Sequence, residues 1–148
     1  FDDAVGVVSV AWEDGMVLTG GGSVMAALSR ELRTFAEGIG GREQMAIEAF
    51  ASALEVIPRT LAENAGLDPV NTIIELRKSH SDGDSHSGIN VDDGGVKNML
   101  EANVLEPLRV VEQAIQSATE TAVMILRIDD VISSKSVSMQ DMGEGFDM

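Results

Sequence analysis

Cysteine is absent from this sequence, and so is tyrosine. Without thiols the chain can form neither a disulfide nor a thiolate zinc site. Aromatic residues make up only 3% of the chain, so the core must be built from Leu, Ile, Val, Met and Ala. Packing of that kind favours helices that lie close together. No apolar run approaches the ~20 residues that cross a bilayer, and no signal peptide is visible, so neither a membrane partner nor secretion is expected.

Basic residues are also scarce, with ten Lys and Arg against 25 Asp and Glu and a net charge of -15. Nucleic acid is not expected as a partner, because binding it needs a positive surface that releases counterions. Such an acidic surface stays soluble but repels itself at low salt. We therefore expect the protein to work in a salt-rich cytoplasm, where the repulsion is screened.

Hydrophobic periodicity predicts a mostly α-helical chain with a few short strands. Helices are expected over 2–14, 23–38, 42–65 with a kink near Pro58, 68–79, 96–102 and from Pro107 onward. Strands are expected at 16–18, 88–91 and 128–132, and a flexible Ser-, Met- and Gly-rich tail over 133–148. So few strands cannot form a sheet without partners from elsewhere. Together with the start at Phe1, this predicts the middle of a longer polypeptide.

The segment Val17-Leu18-Thr19-Gly20-Gly21-Gly22-Ser23 joins a predicted strand to a predicted helix. Glycines let backbone N–H groups approach a ligand closely, and the N-terminus of the following helix favours an anion. The pattern is neither a Walker A loop nor the G-x-G-x-x-G fingerprint. A tight turn that only permits close packing explains the same residues, so both interpretations stay open on this motif alone.

Two carboxylates are candidate ligand-binding residues. Asp3 lies in the first turn of the first helix, where a carboxylate can hold Mg²⁺ or orient an attacking water. Glu106 precedes Pro107 and is biased to extended geometry, from which it could accept hydrogen bonds from ribose hydroxyls. Both also have a structural interpretation, because acids near a helix N-terminus complement the helix dipole.

His80 and His86 flank a stretch that also holds Asp82 and Asp84. Four such residues could in principle bind a metal, but their spacing is irregular. We therefore predict a surface loop over 80–84 and no metal site.

Seven segments, in order along nearly the whole chain, resemble the C-terminal part of a group II chaperonin subunit of the archaeal thermosome type. They are 2–4, 13–22, 42–50, 61–69, 88–91, 104–107 and 126–132. The most specific are Ala62-Glu63-Asn64-Ala65-Gly66-Leu67-Asp68 and Arg127-Ile128-Asp129-Asp130. The acidic balance is similar to that of a haloarchaeal member.

The resemblance implies a domain organisation and a function. Residues 1–15 would end the intermediate, or hinge, domain, 16–132 would form the second half of the equatorial ATP-binding domain, and 133–148 would be the tail. The whole subunit would bind ATP with Mg²⁺ and hydrolyse it. Hydrolysis would drive the folding of unfolded proteins in a double ring built with other chaperonin subunits.

Site residues follow from the same resemblance. Asp3 matches the intermediate-domain aspartate that aids hydrolysis when the hinge closes. Gly20 and Gly21 match the glycine turn that contacts the nucleoside, and Glu106 matches the acid that binds the ribose. Asn90, with Gly88 and Ile89, matches the segment near the adenine.

Two departures from the family pattern affect these expectations. The turn after Asn90, residues 91–95, is more acidic than usual, which weakens the adenine-side match. The Gly-Asp-Gly-Thr-Thr phosphate loop is absent from these residues and would precede Phe1, so we expect the isolated chain neither to hydrolyse ATP nor to bind it tightly. The alternative is a non-catalytic helical module for ring assembly or another interaction, in which the glycine turn is only structural.

Overall fold

The computed structural model describes the backbone of residues 1–141 and the side chains of residues 1–128. The helices are α1 (Asp2–Asp14), α2 (Ser23–Ile39), α3 (Gly41–Leu54), α4 (Val56–Asn64), α5 (Pro69–Ser81) and α6 (Leu108–Asp141). The strands are β1 (Val17–Thr19), β2 (Ser87–Ile89), β3 (Val96–Asn98) and β4 (Leu105–Pro107). One compact unit comprises residues 1–108, and a second begins at Arg109. The prediction of a mostly helical chain with a few short strands is confirmed.

Helix ends fall where the local chemistry requires them. Gly15 ends α1 in the left-handed region, at φ 65°, which a glycine adopts without steric cost. The Asp68 side chain caps α5 by accepting hydrogen bonds from Val70 N at 2.9 Å and Asn71 N at 3.0 Å. The predicted kink is a break at Glu55, between α3 and α4. Pro58 has no N–H to donate to the carbonyl of Leu54, so the helix cannot continue unbroken through this point.

Residues 1–108 fold around an aliphatic core contributed by α2, α4, α5 and β2. Its buried members are Ala26, Ala62, Ile73, Leu76 and Ile89. The strands form two separate antiparallel pairs, β1 with β4 and β2 with β3. Large apolar side chains also stay exposed, such as Trp12 at 88% and Met45 at 71%. Within the described residues, no helix is long and apolar enough to cross a bilayer.

Residues 96–102 were expected to form a helix, and this was wrong. Val96 pairs with Ile89 across the β2–β3 ladder, where a β-branched side chain fits well. The Asn98 side-chain oxygen then accepts from Leu100 N at 3.0 Å and Glu101 N at 3.1 Å. This local turn competes with helix formation and ends the strand.

The predicted strand at 128–132 was also wrong, because α6 continues as helix to Asp141. Ile128, Val131 and Ile132 are spaced three and four residues apart, which fits a helical face as well as a short strand. Helix therefore also occupies the first part of the expected tail, whereas residues 142–148 lie outside the described part. Pro107 ends β4, and α6 begins one residue later than expected.

Candidate functional site

The glycine turn links β1 to α2 and is closed by its flanking hydroxyls. Ser23 Oγ donates to Thr19 O at 2.7 Å, and the Thr19 hydroxyl oxygen lies 2.7 Å from the same Ser23 oxygen. Gly20 N donates to Val104 O at 2.8 Å, one residue before β4 begins. The turn is thereby fixed between β1 and the start of β4.

The same turn lies directly against β2. Ile89 N donates to Gly21 O at 2.8 Å. A Cβ on Gly88 would lie 2.8 Å from Gly20 O, and a Cβ on Gly21 would lie 2.8 Å from Ile89 O. Side chains at these positions would separate the two backbones. Close packing therefore explains why glycine is required at positions 21 and 88, in agreement with the structural interpretation of the motif.

The turn nevertheless retains a donor for a ligand. Gly21 is half-buried, and its N–H donates to no acceptor within the described residues. It precedes the N-terminus of α2, where the helix dipole adds partial positive charge. One backbone donor is therefore available beside the packed glycines.

Glu106 is a half-buried carboxyl on β4, opposite Leu18 of β1. It is two residues from Val104, or about 7 Å along the strand from the bond to Gly20. Burial raises the pKa of this carboxyl above its ordinary value, and no hydrogen bond or ion pair within the described residues opposes that rise. A partly desolvated carboxylate without a partner favours a ligand that donates hydrogen bonds.

Asn90 follows β2 and is largely engaged by its own turn. Its backbone N–H donates to Gly95 O at 3.0 Å, and its side-chain oxygen accepts from Asp92 N at 2.9 Å. The side-chain NH₂ makes no hydrogen bond within the described residues, so it is the group available to a ligand. The sequence predicted a turn after Asn90, but not that the Asn90 side chain would accept hydrogen bonds from it.

A groove of about 340 Å³ lies beside the turn. Its lining is mainly apolar and includes Val17, Leu18, Leu28 and Leu105. The ionisable residues along it are Glu31 and His86, and none of its described lining residues is Lys or Arg. The lining contains none of the six predicted site residues, so the groove is separate from them.

Asp3 is the predicted site residue that does not lie near the glycine turn. It is exposed in the first turn of α1, whereas the C-terminal end of that helix leads into β1. Eleven residues separate Asp3 from Asp14, which corresponds to about 16 Å of helix. The predicted catalytic residue and the glycine turn are therefore apart.

The prediction of a surface loop over 80–84 was wrong at His80. This residue lies in α5, is only 3% exposed, and its Nε2 donates to Ser87 O at 2.8 Å. The ring therefore joins α5 to β2, and its role is structural. No group of three His, Cys, Asp or Glu residues within the described part could hold a metal ion.

Sequence reasoning missed Glu55, the acid at the break between α3 and α4. Its side chain is 7% exposed and accepts hydrogen bonds from Arg33 and from Arg77. Burial by itself raises the pKa of this carboxyl, but the hydrogen bond and charge of Arg77, with Arg33, outweigh it and lower the pKa. The available signal was an acid in an apolar helical stretch close to a proline.

A comparison with protein families covers most of the chain. The sequence model of the TCP-1/cpn60 chaperonin family matches residues 1–136. This chain belongs to that family. The match covers all six predicted site residues of the chaperonin chain, from Asp3 to Glu106.

Individual chaperonins agree with the family match. A thermosome subunit of Methanopyrus kandleri is 59% identical over 93% of this chain and 25% of its own length. Thermosome subunit 1 of Haloferax volcanii is 54% identical over 99% of this chain and 26% of its own length. A solved open-state monomer of a group II chaperonin from Methanococcoides burtonii matches with a TM-score of 0.79 at 52% identity, over 85% of this chain and 31% of that one.

The chaperonin chain therefore spans about a quarter of the length of these curated relatives. Two of these relatives are named thermosome subunits and the third a group II chaperonin, which agrees with the resemblance found in the sequence motifs. The structural match supports a helical chaperonin segment, while the domain bounds at residues 15 and 132 stay a prediction.

Proposed function

We propose that this chain supplies the nucleoside side of the ATP site of a group II chaperonin subunit. In the complete subunit, ATP hydrolysis would drive closure of a double ring around unfolded proteins. The observation that carries the proposal is that the Gly20–Gly21 turn is bonded to β2 and to the start of β4, the strand that carries Glu106. The Glu106 carboxyl is half-buried and has no partner within the described residues. Relatives named as thermosome subunits support the same conclusion.

Each group of the site has a role that its chemistry allows. Glu106 accepts hydrogen bonds from the ribose hydroxyls, which would replace the water that burial removes. The Gly21 N–H and the Asn90 NH₂ are donors for acceptor atoms of the nucleoside. ATP, bound with Mg²⁺, supplies the phosphoanhydride that is cleaved. Asp3 would orient the attacking water once the hinge brings α1 to the phosphates.

The isolated chain is expected to lack ATPase activity. The sequence contains no Gly-Asp-Gly-Thr-Thr run, so the chain supplies no phosphate loop to neutralise the charge of the phosphates. Release of phosphate from ATP by the purified chain measures this. Turnover that follows the chain through a final gel-filtration step would contradict the expectation.

Asp3→Ala tests the catalytic role in a complete subunit that carries this sequence. We expect ATP binding to be retained and hydrolysis to fall by about 10²-fold or more, because an oriented water is lost while the nucleoside contacts remain. Asp2→Ala is the matched control, since it removes the same charge from the same helical turn. Equal hydrolysis by the Asp3 and Asp2 variants would remove Asp3 from the mechanism.

Ring subunits and unfolded client proteins are the partners expected for such a subunit, in the cytoplasm.

A haloarchaeal origin remains a proposal that rests on the net charge of -15. Raising the KCl concentration should raise the melting temperature, because salt screens the repulsion between the acidic side chains.

The alternative of a non-catalytic helical module rests on the packing role of the glycines. It predicts that the gene upstream of Phe1 encodes no phosphate loop.

A further inference from the structure

Three arginines converge on one cavity in this strongly acidic chain. The cavity has a volume of about 210 Å³ and lies among α2, α5 and the break between α3 and α4. Arg30 and Arg33 line it from α2, Arg77 lines it from α5, and Glu55 lies between them. These three are among only ten basic residues in a chain of net charge -15. Their grouping does not follow from the composition.

Two of the arginines are held in place from within the protein. Arg77 Nε donates to Glu55 Oε1 at 2.8 Å, and Arg33 donates to Glu55 Oε2 at 3.0 Å. Arg33 also donates to Ser29 Oγ at 3.4 Å and Ser52 Oγ at 3.3 Å. Both guanidinium groups are therefore fixed before any ligand arrives, which lowers the entropic cost of binding.

The cavity retains positive charge and unused donors. Its three arginines face two acids, Glu55 and Glu37. Arg30 makes only a 4.0 Å contact with Glu31, at the outer limit of an ion pair. A guanidinium has five N–H donors, and the second terminal nitrogen of both Arg33 and Arg77 donates to no acceptor within the described residues.

The size of the cavity restricts its ligand. Pockets for drug-sized ligands occupy about 300–1,000 Å³, so this one is too small for a nucleotide. Arginine forks match the geometry of phosphate and carboxylate oxygens. We propose that this cavity is a binding site for a small oxyanion, either phosphate or a carboxylate, held by Arg30 and the unused donors of Arg33 and Arg77.

Equilibrium dialysis of the chain against labelled inorganic phosphate tests the proposal, with ionic strength held constant by KCl. A second arm uses labelled acetate. We expect saturable binding of one anion per chain in at least one arm, and the arm that saturates identifies the ligand class. Absence of saturable binding in both arms overturns the proposal.

Arg30→Gln locates the binding. It removes a cavity cation without breaking the contacts of Glu55, so the fold should be kept, which circular dichroism checks. We expect the affinity to fall about tenfold, because one charge-assisted hydrogen bond is lost. Arg42→Gln removes the same charge from the exposed start of α3, outside the cavity, and should leave the affinity unchanged. Equal affinities of the two variants would contradict the assignment to this cavity.

Discussion

Replacing Gly88 with alanine is expected to lower the free energy of unfolding by about 3 kcal/mol, from overpacking together with a weakened hydrogen bond. The new Cβ would lie 2.6 Å from Met99 Cγ, 2.8 Å from Gly20 O and 3.0 Å from Gly21 O. Met99 is fully buried, and a close-packed interior leaves its side chain little room to move. The two carbonyls belong to the backbone, so the turn itself must move away from β2.

That movement would stretch the bond from Ile89 N to Gly21 O, which joins the turn to β2. In a complete subunit, Gly88→Ala should therefore weaken nucleotide binding as well as stability. Denaturant unfolding measures the first effect, and a titration with a fluorescent ATP analogue measures the second.

Gly38→Ala is the matched control for this substitution. Gly38 lies in α2, and a Cβ there would meet nothing within 4 Å. Alanine should stabilise this helix by up to about 1 kcal/mol. If both variants unfolded at the same denaturant concentration, the close approach of turn and strand would not constrain position 88.

The part of the fold that the sequence predicted well depends on local chemistry. Gly15, Pro58 and Asp68 each act on their own backbone or its immediate neighbours, so their effects can be inferred from a few residues. Residues 96–102 were mispredicted because the partner of Val96, Ile89, lies across a turn-containing segment. Residues 128–132 were ambiguous because a short apolar run fits a strand or a helix.

The candidate site divides in the same way. The approach of Gly20 and Gly21 to Gly88 depends on backbones that are far apart in sequence. The family resemblance assigned both segments to the nucleoside but did not predict their close packing. Glu55 pairs with Arg33 and Arg77, which lie 22 positions before it and 22 positions after it. No local sequence pattern predicts contacts over such distances. His80 was mispredicted because its polar neighbours resemble a loop, whereas its bond to Ser87 O holds it inside.

Replacing Glu55 with glutamine is expected to lower the free energy of unfolding by about 2 kcal/mol at neutral pH. Gln keeps the shape but removes the charge that faces Arg33 and Arg77. The loss should be smaller than the 3–5 kcal/mol typical of a fully buried pair, because the two arginine side chains are 36% and 50% exposed and water can hydrate them. Denaturant unfolding at pH 7 gives the value.

The pH dependence separates the charge of Glu55 from its packing. Its pKa is lower in the folded protein than the value of 4.5 for the unfolded chain, so its stabilising contribution is fully present above that value. The contribution is lost as the pH falls through the folded pKa. The difference in stability between the original protein and Glu55→Gln should therefore shrink below about pH 4. Glu75→Gln, which alters an exposed acid of α5, should show little difference at any pH. If the difference in stability between the original protein and Glu55→Gln stayed constant down to acid pH, packing and not the pairing with the two arginines would stabilise the break between α3 and α4.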